Sequence, residues 1–246
     1  MRPWLKYRHK HVVQGCWARS KGGALAVSVT RRELLTAAMA YTSSALVAEA
    51  NPFRSVTLEF KAAMTTLFWV GEPSDAENNF IPNHESYWDH DWQASYGGVD
   101  DPEHRNNYWP AGFRPKENPF YVALPYGEFT EDNDLKISAR RIPWYRLGLS
   151  PLLKNRWVEI RWNELSCFAQ WQDVGPCGED DFNFVFGKAA SPQNVFDTRA
   201  GLDVSPAVRH YLGITHNELT YWRFEDAANV PEGPWTEIVT TSGNNR

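Results

Sequence analysis

The sequence predicts a mainly β chain: a β-barrel with one or two short helices and a long loop insertion. Three observations carry this. Sixteen Gly and sixteen Pro in 246 residues place turns throughout, which favours short strands over long helices. The clearest periodic run, Arg156 to Trp162 (Arg-Trp-Val-Glu-Ile-Arg-Trp), alternates with the period of two expected of a half-buried strand. Only one segment carries a helix start signal and a helix stop signal together.

The elements follow in chain order. Thr65 to Val70 is rich in β-formers and is ended by Gly71, which predicts the first strand. Glu72 to about Asn118 is turn-rich and aromatic and reads as a long loop, of a length that is usually functional or partly disordered. Pro119 to Leu124 predicts a second strand closed by the turn Pro125-Tyr126-Gly127. Arg156–Trp162 and Ser166–Gln172 form a hairpin across Asn163-Glu164. Ser205-Pro206 supplies an N-cap and an N1 proline, Ala207 to Leu212 carries the helical turns, and Gly213 closes them. A last strand is expected in Thr220–Phe224, with another near Glu237–Thr241. A barrel fits this count better than a sandwich.

Ahead of these elements, residues 1–50 read as a leader. Thr30–Thr36 holds the pair Arg31-Arg32, Ala37–Val47 is a short apolar stretch, and Ala48-Glu49-Ala50 has the form of a cleavage site. That order is expected of a twin-arginine export signal, which predicts a secreted or periplasmic body from residue 51 onward. The apolar stretch is too short to span a bilayer, so no stable membrane span is expected after cleavage. Eight of the 25 Lys/Arg and two of the 30 Asp/Glu fall in residues 1–50, leaving 17 basic against 28 acidic side chains beyond them. A body that acidic is repelled by phosphate backbones, which argues against nucleic acid as a partner. In an oxidising compartment Cys167 and Cys177 could close one disulfide; equally, they could be two inert thiols.

Two aspartates are the candidate catalytic groups. Asp173 lies in Gln-Trp-Gln-Asp-Val-Gly-Pro after the hairpin strand, and Asp203 lies in Gly-Leu-Asp-Val-Ser-Pro ahead of the short helix. Glycosidic cleavage uses paired carboxyls, one protonated to serve the leaving oxygen and one to orient water or steady positive charge. Turn formation explains Asp173 as well, and a helix N-terminus explains Asp203.

The pieces Asp173-Val174-Gly175-Pro176, Leu202-Asp203-Val204-Ser205-Pro206-Ala207, Leu212-Gly213 and Leu124-Pro125-Tyr126-Gly127 resemble the double-psi β-barrel group of rare lipoprotein A and the expansins. The resemblance spans Leu124 to Phe224, with Thr65–Gly71 as a first strand. It implies a six-stranded double-psi-like β-barrel with a groove for a polysaccharide, peptidoglycan glycan strands included. It also implies either lytic cleavage, as in rare lipoprotein A, or wall loosening without hydrolysis, as in expansins. By motif the essential acid falls on Asp203 and its companion on Asp173. No cofactor is implied.

Aromatic residues are abundant, with 12 Trp, 10 Tyr and 13 Phe. Trp88, Trp92, Tyr108 and Trp109 in the insertion, with Tyr126 and Trp171 beside the motifs, are candidate platforms for stacking on sugar faces. A mini-core formed by the loop on its own aromatics is the competing expectation. His84, Asp89, His90, Asp91 and His104, near Asp100, Asp101 and Glu103, could hold a divalent metal. No tight ligand spacing is present, however, and a solvated charged loop explains them more simply.

Overall fold

The structure, a computed structural model, describes residues 59–246 apart from positions 77, 79 and 197, so the leader expectation lies outside the described residues. The strands are β1 (Lys61–Leu67), β2 (Arg105–Asn106), β3 (Trp109–Pro110), β4 (Tyr121–Leu124), β5 (Trp157–Trp162), β6 (Leu165–Val174), β7 (Leu202–Val204) and β8 (Glu218–Glu225). Three short helices accompany them: α1 (Trp92–Tyr96), α2 (Phe182–Val185) and α3 (Pro206–Leu212). Six strands close a barrel in the order β1-β7-β4-β6-β5-β8, while β2 and β3 form a separate two-stranded ribbon. The fold class expected from the sequence is therefore the one found, with three short helices rather than one or two. Among the described residues no helix is long and apolar enough to cross a membrane.

The pairing has a hidden symmetry. β1 lies parallel to β7 and β4 parallel to β6, whereas β4–β7, β1–β8, β5–β6 and β5–β8 are antiparallel. Exchanging β1, β4 and β5 for β6, β7 and β8 reproduces the same set of pairs. The barrel is thus built from two halves related by a topological two-fold, with β4 and β7 meeting at its centre. No sequence repeat announces this.

Alternation along each strand assigns the two faces. Val122, Leu124, Val158, Ile160, Leu202, Val204, Trp222 and Phe224 join one buried cluster inside the barrel. Tyr121 and Ala123 point the other way, into a second cluster with Phe68, Val70, Trp92 and Tyr96. That second cluster explains the insertion. Its aromatics cover the outer face of β4, burying apolar surface that would otherwise meet water.

The helix α3 behaves as its sequence dictates. The Ser205 side chain accepts from the Val208 amide, Pro206 opens the helix, and Gly213 ends it in the left-handed conformation with φ 74°. Two expectations are corrected. Glu237–Thr241 is not a strand; Asn118 and Gln170 instead tie that segment down, with the Gln170 carboxamide accepting from the Thr240 amide at 2.8 Å and donating to its carbonyl at 2.9 Å. Cys167 is a buried free thiol inside β6 while Cys177 is engaged in a disulfide, so neither the mutual bond nor the pair of inert thiols is found.

Candidate active site

One register places both candidate aspartates. In β7, Asp203 pairs with Thr66 of β1 on one side and Ala123 of β4 on the other. Ala123 in turn pairs with Asp173 of β6. Directly opposed residues in neighbouring strands share a face, so Thr66, Asp203, Ala123 and Asp173 form one row across four strands, at the centre of the two-fold. Two strand spacings of about 4.8 Å put the aspartate backbones about 10 Å apart.

A bulge is what makes this possible. Val122 pairs with Trp171, but Ala123 pairs with Asp173, skipping Gln172. Unbroken alternation would have set Gln172 opposite Ala123 and turned Asp173 toward the barrel interior. The extra residue re-aims the acid to the outer face, a recognised use of bulges near active sites. Asp173 therefore lies within a strand, not after one as the sequence suggested.

Between the two carboxyls the floor is made of the smallest side chains. In the strand row Ala123 lies between them with Gly175 beside it, and both are buried. A Cβ on Gly175 would come 3.4 Å from Asp203 Oδ2 and 3.8 Å from the Ala123 Cβ. The Thr66 hydroxyl donates to Asp203 Oδ1 and fixes that carboxyl.

The two acids differ in environment. Asp203 is half-buried. Asp173 is only 9% exposed, and its Oδ1 accepts from the Tyr87 amide of the insertion at 2.7 Å. Burial pushes the Asp173 carboxyl up to about 7; the Tyr87 and Val174 amides pull against this, and the Asp203 charge adds to it.

A third carboxyl, missed in the sequence, belongs to the same electrostatic set. Glu72 follows the turn that closes β1, where its amide donates to the Trp69 carbonyl at 3.0 Å. Asn83 Nδ2 donates to Glu72 Oε2 at 2.5 Å. Burial pushes Glu72 up to about 7; Asn83 opposes the rise and the Asp203 charge adds to it. The clue in the sequence was an acid placed directly after the strand-ending Gly71. Reading residue 72 as the first of a long loop concealed it.

The insertion limb over Asp173 is held rigidly. The Tyr87 hydroxyl donates to the Phe129 carbonyl at 2.7 Å and accepts from the Phe129 amide at 2.8 Å. Its ring lies so close to Gly127 that a Cβ there would fall 2.3 Å from the Tyr87 Cζ. Gly127 thus leaves space for the ring that positions the Tyr87 amide. Gly127→Ala should destabilise the fold by about 1–3 kcal/mol, measured by urea unfolding, because Tyr87 is pinned and cannot swing away. A change below about 0.5 kcal/mol would show that the limb moves freely.

The expected sugar platforms fare differently. Trp88, Trp92, Tyr126 and Trp171 are 0–1% exposed and offer no face to a ligand. Trp171 packs inside the barrel against Phe224 and, edge-on, against Trp88; Trp92 meets Tyr121. Tyr126 contacts Phe182 and Phe186. Burial of such large rings is worth more to the fold than their exposure, so they act as packing groups. Tyr108 and Trp109 are half-buried, with Tyr108 against Phe120 and Tyr211 and Trp109 under Arg114.

The three histidines of the insertion each have a separate partner. His84 faces Gln93 at 2.7 Å, His90 faces Glu85 at 3.4 Å and His104 faces Asp101 at 2.7 Å. Among the described residues no three His, Cys, Asp or Glu side chains are grouped so as to hold a metal ion. A depression of about 420 Å³ lies over His84, His90 and Lys116, and another of about 330 Å³ over Asn155, Trp157 and Asp226. Neither is lined by the aspartate row. No protein-family model matches this chain, and no curated protein matches it either.

Proposed function

We propose that the chain is an exported polysaccharide-acting protein of the rare lipoprotein A and expansin type, and that it cleaves glycosidic bonds with Asp203 as the acid facing the substrate and Asp173 in support. The observation that carries this reading is the register Thr66–Asp203–Ala123–Asp173. It sets two carboxyls on one face of the barrel with only the small residues Ala123 and Gly175 beside them. Burial, with a smaller contribution from the Asp203 charge, raises Asp173 and Glu72 to about 7, so the group retains a proton at neutral pH that exposed acids would lose. In this reading Asp203, the half-buried member, faces the glycosidic oxygen and serves it as acid by drawing on that proton, with Asp173 as the supply. The charge left behind then steadies the positive sugar ring.

Purified peptidoglycan and cellulose are the test substrates, assayed for new reducing ends and anhydro-sugar products. Asp203→Asn should reduce turnover by about 10²-fold or more, and Asp173→Asn should reduce it less. Full turnover in Asp203→Asn removes that residue from the chemistry. A second reading, glycan binding or wall loosening without cleavage, is favoured by the insertion covering Asp173. It predicts no product from any substrate together with binding that weakens in Asp203→Asn.

A further inference from the structure

From Leu135 to Val158 the chain carries six basic side chains (Lys136, Arg140, Arg141, Arg146, Lys154 and Arg156) and not one acid. This occurs in a body with 17 basic and 28 acidic residues, so a third of its positive charge sits in about a tenth of its length. The same loop holds the two most exposed large apolar side chains among the described residues, Leu147 at 93% and Ile137 at 83%, with Leu149 at 41%. Arg140, Arg141 and Arg146 beside them are exposed.

The loop is held in place, not trailing. Ala139, Ile142, Leu152 and Leu153 are buried in the main core. The Trp144 indole donates to the Leu152 carbonyl at 2.9 Å and packs edge-on to Phe224. A string of tight turns, Ala139 amide to Lys136 carbonyl, Tyr145 to Ile142 and Leu149 to Arg146, fixes the backbone between these anchors. Leucine tips held outward on a buried base are not explained by the packing of the described residues, none of which covers them.

We propose that this loop docks the protein on an anionic lipid bilayer, with Leu147 and Leu149 entering the headgroup layer and Arg140, Arg141 and Arg146 facing the lipid phosphates. Exposed aliphatic side chains flanked by arginine are suited to that interface: the tips leave water while the guanidiniums pair with negative headgroups. Charge complementarity favours this occupant over an apolar protein face, which offers no negative group to the basic loop. The acidic turn Glu131, Asp132 and Asp134 borders the loop, and Lys136 is engaged by Asp180 at 2.7 Å. Contact therefore centres on the 140–149 side, away from that turn. The surface is independent of the aspartate row, and its test does not depend on catalysis.

Co-sedimentation of the full chain with vesicles decides the matter, comparing phosphatidylcholine containing phosphatidylglycerol with phosphatidylcholine alone. Binding should require phosphatidylglycerol and weaken with salt. It should fall about tenfold or more in Leu147→Asp/Leu149→Asp and again in Arg140→Glu/Arg141→Glu, with unfolding midpoints unchanged because these side chains are exposed. The basic leader is common to all variants, so equal binding by wild type and both variants overturns the proposal, as does an absence of binding. Sedimentation velocity covers the other occupants: a dimer broken by Leu147→Asp/Leu149→Asp would assign the loop to self-association. Binding to an anionic polysaccharide but not to vesicles would assign it to that polymer. Either result also overturns docking on lipid.

Discussion

Replacing Arg105 by Leu should destabilise the fold by about 3–5 kcal/mol at neutral pH. Arg105 Nη1 lies 2.5 Å from Asp100 Oδ1, and Nη2 donates to the Tyr108 carbonyl at 2.6 Å. Asp100 is fully buried, and its other oxygen accepts from the Tyr121 hydroxyl at 2.8 Å. That hydroxyl in turn accepts from the Val70 amide at 3.0 Å, and the Asp100 amide donates back to the Val70 carbonyl at 2.9 Å. The chain of bonds runs from the β2–β3 ribbon through β4 to the end of β1, fastening the insertion to the barrel. Loss of the guanidinium strands a buried charge, and the full penalty of an unpaired ion appears in place of the modest net value of the pair.

Burial raises the Asp100 carboxyl, and Arg105 is the main force opposing that rise. Without Arg105 the acid rises further, so the destabilisation should shrink as pH falls and Asp100 takes up a proton. Urea unfolding of wild type, Arg105→Leu and Arg105→Leu/Asp100→Asn at two pH values checks this. The double variant should recover a large part of the loss. A single-variant loss under about 1 kcal/mol, the level of a surface pair, would show that solvent reaches the site.

How much of this was legible depended on whether the determinant was local. The β5–β6 hairpin and α3 were read correctly because alternation, the Ser205 cap and Gly213 are signals within a few residues of one another. β7 was not expected as a strand: three residues are too few to show a period, and its partners β1 and β4 lie far away in sequence. The bulge at Gln172 is equally silent, because only the parallel pairing with β4 reveals that one residue is skipped. Both aspartates could be picked out by their neighbours, but their common face came from those long-range pairs. The burial of Trp88 and Trp92 was hidden because their sequence context is polar. The rings they pack against, Tyr121 of β4 for Trp92 and Trp171 of β6 for Trp88, lie outside the insertion.

Asp173→Asn is expected to make the protein more stable at pH 8, by on the order of 2–4 kcal/mol, while reducing any cleavage activity. The wild-type carboxyl, ordinarily at 3.8, sits at about 7 in the fold, chiefly because it is buried. A group whose folded value is raised holds its proton longer in the native state than in the unfolded chain. Its stabilising contribution is complete below about pH 4 and declines as pH rises, until above about 7 the native state must carry a buried negative charge. Asparagine keeps an oxygen for the Tyr87 amide and never ionises, so the advantage of the variant should be small near pH 4, grow through the interval and level off above 7. Glu72 and Asp203 share the same field, which broadens the transition without changing its direction. Paired urea titrations of wild type and variant across this range give the curve directly. A constant offset at all pH values would mean that Asp173 is ionised throughout and solvated through the edge it still exposes. A gain that grows with pH would instead mark a residue retained against the interest of stability, as expected of an acid kept for chemistry.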